Sequence, residues 1–170
     1  MKKYKHIIFI MVLVVVFSLA EMSSSTFASD LKPDRESLKN LKGVYVNVQD
    51  VQRDLLQAGL SKDQIRTDIE LKLRAAGIKV LTQKEHYNEK GAPFLHVYLN
   101  TIGTKKGAFI YSIFFGILEE VSLVRNDIIV DAITWSTSGM GYGYIEEIRA
   151  QIKNRVDEFI NAYLSVNPKI

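Results

Sequence analysis

Apolar and polar residues alternate between Val44 and Gln49: Val44, Val46 and Val48 interleave with Tyr45, Asn47 and Gln49. That period of two predicts a half-buried strand. After the connector DVQRDLLQAGL the period changes, and Ile65, Ile69, Leu73 and Ala76 recur at helical spacing. Ser61 and Gln64 have the spacing of a capping box, and Gly77 stands where a helix-ending glycine belongs. Asp68–Lys72 and Glu70–Arg74 are i,i+4 pairs with the acid first, which marks a solvated helix face. Ile78 to Leu81 predicts a second strand, so this part of the chain reads as a right-handed crossover between parallel strands.

The polar stretch TQKEHYNEKGAP then predicts a loop. Leu95, Val97 and Leu99 alternate with His96, Tyr98 and Asn100, and a Gly-Thr-Lys-Lys-Gly turn at 103–107 leads into AFIYSIFFGILEEVSLV. As one strand that run would reach about 56 Å, so a bulge or bend is expected at Gly116. Asn126-Asp127 supplies a turn, and IIVDAITWST completes an antiparallel meander. The segment SGMGYG, 138–143, reads as a loop whose glycines reverse the chain through positive φ. Ile145, Ile148, Ile152, Val156, Phe159 and Tyr163 define a final helix that Pro168 stops. The expected fold is a single α+β domain over residues 43–168, in the order βαββββα. It has a mixed sheet and two helices packed on one face.

One segment strains that picture. Phe109–Leu118 is apolar at both parities, as for a central strand covered on both sides or a ribbon exposed to a membrane or partner. Two helices account for one sheet face only. Homo-oligomerisation through the 107–118 strand is therefore an expectation.

Residues 1–28 read as a signal peptide. Lys2, Lys3 and Lys5 precede the uncharged run from Ile7 to Ala20, and Thr26-Phe27-Ala28 fits a small-x-small cleavage site. As a helix that run spans about 21 Å, short of the roughly 30 Å hydrocarbon core. The protein is thus expected outside the cytoplasm, periplasmic or extracellular, with membrane contact only through the leader if it is retained. Residues 29–42, polar and interrupted by Pro33, are expected to be a mobile lead-in. The chain carries 22 Lys+Arg against 19 Asp+Glu, but residues 1–28 hold three of the lysines and one of the acids, which leaves net +1. That near-neutral balance gives no electrostatic footprint for a nucleic-acid partner. The absence of cysteine rules out disulfides and lipidation at a cleavage-site cysteine.

The segments GLSKDQIRTDIELKLRAAGIKVL, ILEEVSLVRN, TWSTSG and VDEFINAYLSVNP together resemble an uncharacterised family of small exported bacterial proteins. That resemblance implies a domain extent and no activity. The order of elements is also similar to periplasmic α+β accessory domains such as the amino-terminal domain of TolB, a likeness of topology alone.

Motifs for chemistry are sparse. Gly139 and Gly141 fit the first two positions of a dinucleotide fingerprint, but Tyr144 occupies the third, no Gly-Lys-Ser/Thr follows, and Glu146 and Glu147 would repel a phosphate. His86 in a loop and His96 on the polar face of a strand read as solvated histidines, not metal ligands. Neighbouring Glu119 and Glu120 point to opposite sheet faces and cannot flank one glycosidic bond. Asp127 and Asp131 share a parity with Ile129, Ile133 and Trp135, which makes a small candidate patch or an edge-strand device against sheet pairing. Ser29 and Lys32 match S-x-x-K as letters only, with no second motif. Tyr98, Tyr111, Trp135, Tyr142 and Tyr144 are either core or a flat contact surface for peptide or glycan. The candidate binding surface is Tyr98, Asp131, Trp135, Tyr142 and Tyr144, with no catalytic, cofactor or metal residue assigned. The expected role is a non-enzymatic binding or assembly module of the cell envelope, taking an envelope protein or glycan. The alternative is a hydrolase-type enzyme on envelope material, with its site near Asp127, Asp131 and the 138–144 loop.

Overall fold

The computed structural model describes residues 32–168. In chain order the elements are α1 (Lys32–Glu36), β1 (Tyr45–Val48), α2 (Arg53–Gln57), α3 (Lys62–Ala75), α4 (Gln83–Asn88), β2 (Phe94–Gly103), β3 (Phe109–Ser122), β4 (Ile129–Gly143) and α5 (Ile145–Val166). The strands form one sheet in the order β1-β2-β3-β4; β1 lies parallel to β2, and the other two pairings are antiparallel. The class is α+β with a mixed sheet and a meander. The leader assigned to residues 1–28 lies outside the described residues.

The capping box of α3 forms as its spacing predicts. The Gln64 N–H donates to Ser61 Oγ at 3.3 Å, and Gln64 Oε1 accepts from the Ser61 N–H at 3.0 Å. Ile65, Ile69 and Leu73 are buried, and Gly77 takes φ +77° just past the last turn. Glu70 pairs with both Arg66 and Arg74 at 2.8 Å. Asp68 and Lys72 do not pair with each other. Both reach across to α5, Asp68 to Arg149 at 3.6 Å and Lys72 to Asp157 at 2.7 Å, so this helix face is an inter-helix contact and not simply solvated.

Three expectations need correction here. Ile78–Leu81 is not a strand: only Val80 bridges to Val44, and β1 finds its parallel partner in β2. The stretch after it is not a plain loop, because Thr82 and Glu85 form a second capping box that starts α4. Residues 32–42 are docked. Leu38 is completely buried, Asn167 accepts from the Asn40 N–H and donates to the Leu38 carbonyl at 2.8 Å each, and the Tyr163 hydroxyl donates to the Leu41 carbonyl at 2.8 Å. The folded unit therefore includes residues from Lys32 onward, not from residue 43.

β3 runs through Gly116 without a break in its register. The irregularity lies one step further along and in the partner strand. Ile117 pairs with Trp135 and Leu118 with Ile133, so Thr134 is an extra residue in β4, a bulge. Gly116 serves a different purpose. A Cβ there would lie 2.7 Å from the Phe114 ring, so the glycine makes room for that ring to lie over the strand.

The 138–143 segment is the last part of β4, not a loop. Gly139, Gly141 and Gly143 pair with Ile113, Tyr111 and Phe109, and none of the three has positive φ. All three project to the face covered by α3 and α5. That face carries the core: Val46, Leu95, Val97, Ile113, Phe115 and Ile117 pack with Ile65 and Ile69 of α3 and with Ile148, Ile152, Val156 and Phe159 of α5.

Candidate functional site

Because side chains alternate along a strand, the register fixes what the face opposite α3 and α5 displays. From one end, its rows across β2, β3 and β4 are Ile102–Ile110–Tyr142, Asn100–Ser112–Met140, Tyr98–Phe114–Ser138, His96–Gly116–Ser136 and, past the bulge, Phe94–Leu118–Ile133. Glu120 with Asp131, and Ser122 with Ile129, continue the face on β3 and β4. Ile102 (65%), Ile110 (53%), Met140 (63%) and Tyr142 (61%) are exposed, and Tyr98, Ile133 and Ile129 join them. Scattered apolar residues on a surface need no explanation, but a contiguous patch of them does.

The β1 margin of this face is sheltered. His86 of α4 is buried, stacked on Tyr45 at 5.3 Å and edge-on to Phe94 at 5.7 Å, and Phe94 meets His96 edge-on at 6.2 Å. His86 is thus a packed helix residue, not the solvated loop histidine its polar neighbours suggested. The Nδ1 atoms of His86 and His96 are both closed off from solvent without a hydrogen-bond partner among the described residues. Burial holds the His96 imidazole below the usual histidine range.

The sequence candidates separate by face. Tyr98, Asp131 and Tyr142 stand on the open face, and Tyr144 is exposed just beyond it, ahead of α5. Trp135 does not join them: the Thr134 bulge flips the parity of β4, and the indole is 3% exposed against Phe159 with ring centroids 5.3 Å apart. Asp127 lies in the turn with φ +56°, outside the strand that carries Asp131. Asp131 and Tyr142 are eleven residues apart on one strand, about 36 Å at strand rise. The two aspartates and the 138–144 segment thus do not converge on one cleft. Glu119 and Glu120 point to opposite sides as expected; Glu119 accepts a 2.7 Å bond from Thr134 on the covered side, and Glu120 is exposed on the open one.

A concavity of about 280 Å³ opens on the covered side, lined by Trp135, Thr137, Glu158 and Asn161 among others. Behind it lies a buried polar network. Arg155 donates to Thr137 Oγ1 and to the Ser138 carbonyl at 3.1 Å each and to Glu158 at 2.9 Å, and the Thr137 hydroxyl donates to Glu158. Trp135 Nε1 and Arg155 Nε have no partner among the described residues and are closed off from solvent. Those two donors do not open onto the cleft, and the network locks α5 onto β4.

Among the described residues, no helix is long and apolar enough to cross a membrane, and no group of three or more metal-ligating side chains assembles. Comparison with protein-family models and with curated proteins finds no match. The open face therefore has to be understood from its own chemistry. Ile110, Ser112 and Phe114 belong to the 107–118 strand expected to mediate self-association, whereas Ile102 and Met140 carry no sequence signal of their own. The common orientation of these five residues depends on the cross-strand register.

Proposed function

We propose that the protein is an exported, non-enzymatic binding or assembly module of the bacterial cell envelope, and that the open face of β2, β3 and β4 is its working surface. One observation carries this reading. α3 and α5 both pack on the same side of the sheet, and the opposite side displays Ile102, Ile110, Met140 and Tyr142 to solvent. Burying such a surface releases roughly 25 cal/mol per Å² of apolar area, a driving force for docking that catalysis does not require. Export rests on the leader-like residues 1–28, and the envelope follows from it.

The test is photo-crosslinking in the producing cell, with a photoreactive residue placed at Ile110 or Met140 and a control at Leu71. Leu71 is exposed on α3, away from the open face. Adducts specific to positions 110 and 140 are expected. Equal yields at all three positions, or none at the sheet positions, would refute the reading.

A further inference from the structure

We infer that the occupant of the open face is a second copy of this chain, packed sheet to sheet with β3 antiparallel to its counterpart. This inference rests on the proposed role of that face and names its partner.

The bulk on β3 reads the same in both directions. Its open-face residues are Ile110, Ser112, Phe114, Gly116 and Leu118: aliphatic, small, aromatic, small, aliphatic. A two-fold axis lying across the strands reverses the strand and preserves that order. It sets the Ile102–Ile110–Tyr142 end of one copy against the Phe94–Leu118–Ile133 end of the other.

The polar groups fit a protein partner better than they fit a bilayer. Ser112 and Ser136 sit in the rows on either side of the middle one, and moving a hydroxyl from water into hydrocarbon is unfavourable.

The two ends of the face differ in charge, although Lys90, exposed beside Glu120, offsets one acid at the acidic end. Lys105 and Lys106 stand exposed in the β2–β3 turn at one end, and Glu120 and Asp131 are exposed at the other. The ion pairs of the described residues engage none of these four. Arg125 and Asp127 in the β3–β4 turn offset each other, and Glu146 belongs to the first turn of α5, on the covered side. Antiparallel packing places the lysines of each copy over the acids of its partner, twice per dimer.

The size is adequate. From Ile110 to Leu118 the face runs about 26 Å by roughly 14 Å across three strands, and it continues about 13 Å further on β3 and β4 alone, on the order of 500 Å² in projection. That is near the largest patch a monomer ordinarily exposes, and contacts from the charged ends bring it toward the ~800 Å² per partner of a standard interface.

The experiment is sedimentation velocity on the chain purified after export, with two charge-reversed variants, K105E/K106E and E120K/D131K. The wild type is expected to dimerise, and each variant alone to do so at least about tenfold more weakly, since it sets like charges against each other at both ends. An equimolar mixture of the two variants should recover the dimer, because every contact between unlike variants is again attractive. I110E, which places a charge inside the face, should be monomeric with an unchanged far-UV spectrum. A wild type that stays monomeric at several hundred micromolar, a dimer that persists in I110E, or a mixture that does not recover would each overturn the second-copy assignment. Specific crosslinks from positions 110 and 140 to another molecule would then still uphold the proposed working surface. Absence of both would remove both.

Discussion

Gly139, Gly141 and Gly143 differ in what an added methyl group would meet, and this difference makes a graded test. At Gly139 a Cβ would lie 3.6 Å from Arg155 Cζ, an ordinary contact. Gly139→Ala should therefore gain the usual advantage of alanine over glycine in a strand, about 0.5–1 kcal/mol. At Gly141 the Cβ would lie 2.5 Å from Tyr111 Oη and 2.7 Å from Cζ, roughly 1 Å inside the ~3.5 Å contact distance. Tyr111 is only 6% exposed, so its ring cannot swing out to solvent. Overpacking of this kind costs about 1–3 kcal/mol, so Gly141→Ala should be destabilising by about 1–2 kcal/mol net. For a domain of this size that lowers Tm by roughly 3–8 °C. The assay is urea unfolding followed by the fluorescence of Trp135, the one tryptophan, which is buried in the folded chain. Every variant is compared at one protein concentration, because self-association would shift the midpoint. The decisive arm is a double-mutant cycle with Tyr111→Leu, which deletes the phenol end of the ring. In that background Gly141→Ala should become neutral or stabilising, a coupling of at least about 1 kcal/mol. A coupling near zero, or a loss at position 139 equal to that at 141, would refute the claim that Gly141 makes room for the Tyr111 ring.

Leu38→Ala should cost about 2–5 kcal/mol in the same unfolding assay, as for a core leucine and not a residue of a mobile lead-in. His96 gives a pH dependence with a definite sign. Its folded-state pKa is depressed by burial, so below about pH 6.5 the unfolded chain takes up a proton that the folded chain resists. Stability is full above that pH and is lost as pH falls toward the folded pKa; urea midpoints in His96→Gln should fall less steeply between pH 7.5 and 5. The Glu85 carboxyl is held at about 2 by the Thr82 backbone N–H, Lys79 and the Thr82 hydroxyl, in that order. An NMR titration should show it ionised well below the usual carboxylate range, and Thr82→Ala should raise that pKa while weakening the α4 cap by about 1 kcal/mol.

The elements legible in the sequence were those whose signals are local. Helices α3 and α5 declared themselves by period and by caps or stops, the strands near Val46 and Val97 by alternation, and the strand near Phe115 by a long run apolar at both parities. The misses have physical reasons. The capping box that opens α4, Thr82 with Glu85, was in plain view but lay in a polar stretch where no apolar stripe drew attention to it. Leu38 was hidden among charges because one apolar residue, its carbonyl held by Asn167 from more than a hundred residues away, has no period. The site suffered most from parity. Trp135 was placed with Asp131 by counting in twos, and the single extra residue Thr134 carries the indole to the other face. A bulge opposite Ile117 and Leu118 depends on the partner strand, so counting along β4 alone could not find it.

The glycine-rich end of β4 now connects the core to the proposed surface. From Ser138 to Gly143 the residues alternate Ser, Gly, Met, Gly, Tyr, Gly, and each glycine falls on the covered side. Side-chain bulk is therefore absent where Tyr111, Arg155 and Glu147 press against the strand, and all the bulk the segment has, Met140 and Tyr142, goes to the open face. The spacing that imitates a phosphate loop is thus the signature of a one-sided strand. A larger residue at position 141 would act on the helix side and leave the display of Met140 and Tyr142 in place, whereas a charge at Ile110 would act on the display and leave the core intact. Stability and association should consequently respond to different substitutions on paired strands only a few ångströms apart. A variant set in which the two properties always fell together would mean that the open face is structural support and not a surface for a partner.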